Sequence, residues 1–322
     1  MSEAEHEPAG TSEARALIEA CGLRFEPGFD DLATVYERGR MVACGARAGY
    51  VLKMLAIDPG HRGTEVLGEL VTRLTLSGMQ AGQDTLFVFT APQNAASFQA
   101  LNFRLLVSHG QVALLEHGPG LPAYLARHAA DISPGRHGAV VINGNPFTLG
   151  HRYLVEQAAA QVDRLYLFVV REDLSRFPFE VRLRLAQAAT SHLANVTVLD
   201  TGRYAVSAGT FPSYFIKRLD SVAQEQMQID LRLFAQSIAP RFHIATRFAG
   251  QEPLCPVTAA YNRTMAEVLA EYGIGMVELP RLEAGGGPIS ATRVRAALQA
   301  GDRAALEALV PPATLDYLLK EC

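Results

Sequence analysis

The spacing of hydrophobic residues changes repeatedly along the chain, and that pattern alone predicts alternating strands and helices. Residues 1 to 14 are polar and acidic and predict a disordered start. Ser12 to Ala20 carries a short helical pattern. Val42 to Ile57 reads as two strands meeting at Ala48-Gly49-Tyr50, and Pro59-Gly60-His61-Arg62-Gly63 as a loop. Val66 to Met79 has helical spacing, Thr85 to Thr90 reads as a strand, Asn94 to Leu101 as a helix and Leu105 to Leu115 as another strand. Glu116 to Arg136 has GPGLP near one end and SPGRHG near the other, which predicts an inter-domain connection around a short helix, Tyr124 to Ala130. The expected domains are therefore 15–130 and 138–322, with 131–137 as linker.

Beyond the connection the strands become continuous apolar runs. Ala139 to Ile142 is short and mostly β-branched, as a strand buried on both faces would be. A polar turn follows, Asn143-Gly144-Asn145-Pro146, and Phe147-Thr148-Leu149-Gly150-His151 opens a helix. Leu149, Tyr153, Leu154, Ala158 and Val162 make its apolar face. Leu165–Val170, Val196–Leu199, Thr246–Ala249 and Gly275–Leu279 read as further strands. Glu180–Leu193, Gln224–Ile238 and Ala259–Tyr272 read as helices, with a loop over Thr210–Asp220. Glu283 to Pro288 reads as a flexible loop before a helix that starts over Ile289–Arg295. Strands and helices in strict alternation specify an α/β fold with a doubly wound parallel sheet, whose ligands bind at the carboxyl ends of the strands.

Two stretches at such ends carry chemistry. At the start of a helix the first N–H groups lack partners and the dipole is positive, so Asn143, Gly144, Asn145, Phe147 and Gly150 form a cradle for an anion. Thr148 and His151 add side-chain donors aimed at it. Ser290, Thr292 and Arg295 open a second helix with the same capacity, and Arg293 reads as a solvated helix residue. Composition narrows the anion. The 322 residues are 49% hydrophobic and 19% charged with net charge −4, an ordinary globular balance. That balance excludes a nucleic-acid binder relying on bulk charge, but not a nucleotide. Cys21, Cys44, Cys255 and Cys322 are scattered, with no C-x-x-C pair, as expected of reduced thiols. The acidic N-terminus is unlike a signal peptide, and no apolar run reaches the roughly 18 residues of a membrane helix, so a cytoplasmic protein is expected.

Three resemblances extend this reading. His61-Arg62-Gly63 opening a helix, together with Asn94 and the following Ala and Phe set against Asn102-Phe103, resembles the Gcn5-related N-acetyltransferase (GNAT) fold. Gly60 stands at the first position of that family's pyrophosphate loop, Gly63 keeps the middle glycine and Glu65 replaces the last. A carboxylate there repels a pyrophosphate, which predicts a retained α+β fold used for docking or substrate handling. Thr148-Leu149-Gly150-His151 and Ile289-Ser290-x-Thr292-x-x-Arg295 resemble the paired (H/T)-x-G-H and I-S-S-T-x-x-R signatures of the nucleotidylyltransferase superfamily. That resemblance implies ATP, with Mg²⁺ on the triphosphate. It implies His151, Thr148 and Arg295 in catalysis, Ser290 and Thr292 on the β- and γ-phosphates, Arg182 reaching the phosphates, and Glu252 near the ribose or capping a helix.

Asn143 to Ala158, Arg171-Glu172-Asp173-x-Ser175-Arg176-Phe177-Pro178, Thr210 to Lys217 and Pro288 to Arg295 are similar to the citrate (pro-3S)-lyase ligase family. That family's members use ATP and acetate to acetylate the thiol of a dephospho-CoA-derived prosthetic group on the citrate lyase acyl carrier subunit, releasing AMP and pyrophosphate. The resemblance implies an acetyl-adenylate intermediate and no nucleic-acid or membrane partner. Three other readings stay open: a nucleotidylyltransferase making a dinucleotide-type cofactor of the CoA or NAD pathway, an acetyltransferase, and an ATP-sensing regulator. The N-terminal domain and the long Thr201–Pro240 insertion count against the first, Glu65 against the second, and two intact phosphate motifs against the third.

Overall fold

The computed structural model describes residues 10–61, 64–129, 132, 135–172, 174–211 and 220–321. Residues 1–9 of the expected disordered start, Arg62 and Gly63 of the acetyltransferase-like loop, Asp173, and Pro212 to Lys217 lie outside the described residues. The chain divides into two compact units, Met1–Ala123 and Tyr124–Cys322.

In the first unit, a helix α1 (Thr11–Ala20) precedes three strands, β1 (Asp31–Glu37), β2 (Arg40–Ala48) and β3 (Val51–Ile57). This is the helix read over Ser12–Ala20, and its first turn reaches into the start expected to be disordered because Ala14 and Ile18 are fully buried against the sheet. The helix α2 (Thr64–Gln80) follows, then β4 (Leu86–Thr90), α3 (Ala95–Gln99), β5 (Arg104–His109) and β6 (Val112–His117). Leu105–Leu115 is thus a hairpin, not one strand; Gly110 turns it at φ 56°, a left-handed conformation that suits glycine. The six strands run β1-β2-β3-β4-β6-β5, and β3–β4 is the parallel pair that α2 crosses. Leu70, Val71 and Leu74 of α2 pack with Leu86, Val88, Phe98 and Phe103 over one face. This is the α+β, GNAT-like fold that the sequence resembles. Glu65 lies exposed in the first turn of α2.

The division falls inside α4 (Gly120–Arg127). The second unit then reads β7 (His137–Ile142), α5 (Leu149–Ala159), β8 (Arg164–Val169), α6 (Phe179–Thr190), β9 (Val196–Asp200) and α7 (Ser221–Leu233). One π-helical turn, Phe234–Ile238, leads from α7 into α8 (Ala239–Arg241), so the helix read over Gln224–Ile238 changes its winding in its last turn. After it come β10 (Ile244–Gly250), α9 (Pro256–Glu271), β11 (Gly275–Leu279), α10 (Ala291–Gln299), α11 (Arg303–Leu309) and α12 (Pro312–Glu321). All pairings in its sheet are parallel, in the order β11-β10-β7-β8-β9. Leu165, Leu167 and Val169 pack with Val155 of α5 and Leu185 of α6, while Tyr166 and Phe168 turn to Phe242 on the opposite face. Burial on both faces is what makes these strands continuous apolar runs.

Strand order reverses at β7. The chain proceeds outward through β8 and β9, then returns to lay β10 on the other side of β7. The crevice at the carboxyl ends of β7 and β10 is the switch point at which such sheets bind ligands.

Candidate functional site

That crevice is a cleft of about 560 Å³, within the roughly 300–1,000 Å³ typical of small-molecule sites. Asn143, Gly144 and Asn145 after β7 line it, with Gly250 and Glu252 after β10, Arg281 after β11, and both helix starts bearing the phosphate motifs.

The two helix starts are held together by close approach and by an arginine. A Cβ at Gly150 would lie 3.3 Å from the main-chain oxygen of Ile289, so glycine lets the α5 start sit against the segment leading into α10. Arg295 Nη1 donates to the Asn145 main-chain oxygen (2.6 Å) and its Nη2 to Thr292 Oγ1 (3.0 Å). Each helix is capped by a hydroxyl: Thr148 Oγ1 accepts from His151 N and Ser290 Oγ from Arg293 N. The remaining N–H groups of both first turns thus open on one cleft.

His151 completes a capping box from the position usually held by a Glu or Gln. The Thr148 main-chain N–H donates to its Nδ1 (3.0 Å), and Thr148 Oγ1 lies equally close. A main-chain N–H can only donate, so Nδ1 is an acceptor and the neutral ring carries its proton on Nε2. Burial first, and the charge of Arg281 next, hold the imidazole down at about 4. The ring is therefore a neutral Nε2–H donor, locked by its own helix cap. Thr148 is 1% exposed and its hydroxyl is engaged in that cap. Its hydroxyl oxygen thereby positions His151.

Several other expectations are corrected. Phe147 is fully buried and packs on the His151 ring at 5.4 Å, so it supports the histidine from behind. Arg182 is also fully buried and off the cleft wall. Its guanidinium donates to the main-chain oxygens of Phe177, Asn143, Val170 and Glu172 and to Asn143 Oδ1. It fastens the turn after β7 to the loop after β8. Ser175 Oγ bonds Asn143 and the Phe177 N–H donates to Asn145 Oδ1, which gives that loop a part in the same joint. Arg293 is not a solvated residue: its Nη1 donates to the oxygens of Ala284, Gly287 and Pro288 and fixes the loop read as flexible. Glu252 faces the cleft, yet its carboxylate accepts from the N–H groups of Leu254 and Cys255 and pairs with Arg281. Its carboxylate holds the turn that leads into α9.

One cleft residue was not singled out in the sequence. Arg247, in the middle of β10, is 2% exposed and lines the cleft. The visible signal was a lone arginine inside the strand Ile-Ala-Thr-Arg-Phe-Ala-Gly.

Comparison with known proteins agrees with the geometry. Residues 137–318 match the family model described as the citrate lyase ligase C-terminal domain. The chain is 44% identical over 288 residues to a citrate (pro-3S)-lyase ligase of Klebsiella pneumoniae, covering 87% of this chain and 84% of that protein. It is 39% identical to the Escherichia coli ligase of the same name, over 88% of this chain and 83% of that one. For the Haemophilus influenzae ligase the identity is 38%, over 87% and 86%. A matching model over more than half the length and relatives of this identity and coverage have one meaning: the chain belongs to the citrate lyase ligase family.

Proposed function

We propose that this ligase consumes ATP and acetate to acetylate the prosthetic-group thiol on the acyl carrier subunit of citrate lyase, releasing AMP and pyrophosphate. The observation that carries this reading is the convergence of two capped helix N-termini on one switch-point cleft, with a neutral His151 donor and the Arg295 cation between them. Such a constellation stabilises spreading negative charge on phosphate, which is what adenylyl transfer needs.

In the first half-reaction an acetate oxygen attacks the α-phosphorus and the bond to the departing pyrophosphate breaks, giving acetyl-AMP. His151 Nε2–H donates to a phosphate oxygen as charge builds. The α10 start and Arg295 hold the β- and γ-phosphates, with Ser290 fixing the helix cap and Thr292 orienting Arg295. In the second half-reaction the carrier sulfur attacks the acetyl carbonyl, the acyl–phosphate C–O bond breaks, AMP leaves and the thiol proton passes to solvent. Mg²⁺ bound with the triphosphate would neutralise charge on its phosphate oxygens. Among the described residues no group of three His, Cys, Asp or Glu side chains is placed to hold it. Among them, too, no helix is long and apolar enough to cross a membrane.

The test is incubation with ATP, labelled acetate and deacetylated citrate lyase. Label on the carrier thiol, with AMP and pyrophosphate formed in equal amounts, is expected. Absence of acetate-dependent pyrophosphate would sink the reading.

A further inference from the structure

Arg247 is a charged side chain buried with most of its capacity unused. Its Nη2 donates to Tyr261 Oη at 3.3 Å, and its guanidinium carbon lies 4.4 Å from the centre of the Phe234 ring. Nη1 is buried and has no hydrogen-bond partner among the described residues. The buried Asp230 carboxylate acts on this charge electrostatically, but a guanidinium has five N–H donors in a fixed fork, and a buried donor without a hydrogen bond is costly. Arg247 is also part of the cleft wall, so an anion bound at that wall is the partner its chemistry calls for.

The surroundings are built to keep that fork in place. Asp230 is fully buried and accepts from Thr210 Oγ1 (2.5 Å), Tyr261 Oη (2.6 Å) and the Val206 N–H (2.7 Å). The Tyr261 proton is thereby committed to Asp230, and its lone pair faces Arg247. Val206 is a β-branched residue at φ 50°, a left-handed conformation such residues rarely adopt, and the Asp230 bond holds it there beside the cleft. Met265 lies one helical turn beyond Tyr261 on the same face of α9 and also lines the cleft. Val206, Thr210, Asp230 and Phe234 all come from the insertion between β9 and β10, so this corner is made by the segment that sets the chain apart from a plain nucleotidylyltransferase.

We infer that Arg247 binds the carboxylate of the acid substrate, in a small apolar-walled pocket closed by Val206, Tyr261 and Met265. The pocket takes a short monocarboxylate: the fork holds one oxygen, the other is free to attack phosphorus, and the walls meet the alkyl end. A phosphate would be served by the helix starts, whereas a single fork among apolar walls suits a small monoanion. The inference rests on the acetate-activating reading above, but it is a claim about binding and is tested as one.

Acetate binding is measured by calorimetry on the full chain with a non-hydrolysable ATP analogue present, for wild type, R247M and R247K. Acetate is expected to bind wild type about 10–100-fold more tightly than either variant, the scale of a lost charge-assisted bond, with analogue affinity changed less than threefold. Equal acetate affinity in all three overturns the inference, as does a wild type that binds no acetate. If R247M fails to fold, R247K carries the comparison. M265A adds an independent reading: widening the wall should raise the propionate-to-acetate ratio of kcat/KM about tenfold, the scale of one accommodated methylene, and an unchanged ratio counts against the pocket. Acetate bound at Arg247 without acetate-dependent pyrophosphate release would overturn the ligase reading and leave the pocket standing. Pyrophosphate release with a normal acetate KM in R247K would do the reverse.

Discussion

Arg295 donates to the main-chain oxygen of Asn145 at 2.6 Å, across 150 residues of sequence. The bond joins the turn before α5 to the first turns of α10, so the two phosphate motifs are parts of one object. Burial first, and the charge of Arg176 next, lower the Arg295 pKa, but a guanidinium remains charged throughout the working range. Arg295→Lys keeps a charge and loses the fork that reaches Asn145 and Thr292 together. ATP-dependent pyrophosphate formation should fall about 10–100-fold, the value of a charge-assisted hydrogen bond. Steady-state kinetics with ATP varied check it; wild-type rates would show that the clamp is dispensable.

His151→Ala should lower turnover about 10²–10³-fold with ATP binding less affected, the scale for one preorganised donor. An unchanged kcat removes His151 from the mechanism.

The same histidine makes a pH prediction. Its folded-state value of about 4 lies below the ordinary 6.5. Between those values the unfolded chain binds a proton that the folded protein does not, so stability falls as pH drops from 6.5 towards 4. His151→Asn cannot titrate and should lose less Tm than wild type over that window. In activity, no acid limb near pH 6.5 should trace to this residue. Parallel Tm–pH curves for the two proteins would contradict the assignment.

Arg182 should behave as a structural residue. Arg182→Met leaves four main-chain oxygens short of a buried cation and should destabilise the protein by about 3–5 kcal/mol, the cost of breaking a buried charged joint. Arg182→Lys should retain part of that stability. Denaturant midpoints read this directly. A normal midpoint with a raised ATP KM would instead return Arg182 to the phosphates.

Gly150→Ala tests the close approach of the two motifs. Its Cβ would press on Ile289 backbone at 3.3 Å, an overpacking expected to cost about 1–3 kcal/mol. A shift of a few tenths of an ångström between the motifs should lower kcat about 10-fold, judged against roughly 10² for a full ångström. Wild-type kcat would mean that the spacing is slack.

The sequence made some of this architecture easy to see and hid the rest for identifiable reasons. The strands of the second sheet were legible because both of their faces are covered, which leaves runs such as Leu165–Val170 with no polar interruption. Strand β1 was missed because it is an edge strand that buries only Ala33 and Val35. The helices α11 and α12 were not read at all; they bury only scattered residues such as Leu306, Leu309 and Leu318, in a small cluster around α10. In the site, Thr148, His151 and Arg295 were visible because a helix start needs a cap and an anion needs donors. What spacing could not show was which way each polar group points. Thr148 turns to its own helix, Arg182 to main-chain oxygens and Glu252 to the α9 start. Arg247 was hidden for the opposite reason: one charge inside a strand reads as an exception until its neighbours, drawn from α7 and α9, are in view.

The central claim is that this cleft adenylates acetate, and acetate-dependent exchange of labelled pyrophosphate into ATP, with no carrier protein present, tests it most directly. The account predicts exchange that requires acetate, saturates with it, and falls at least about 10²-fold in His151→Ala. Exchange that proceeds without acetate, or survives His151→Ala intact, would contradict it.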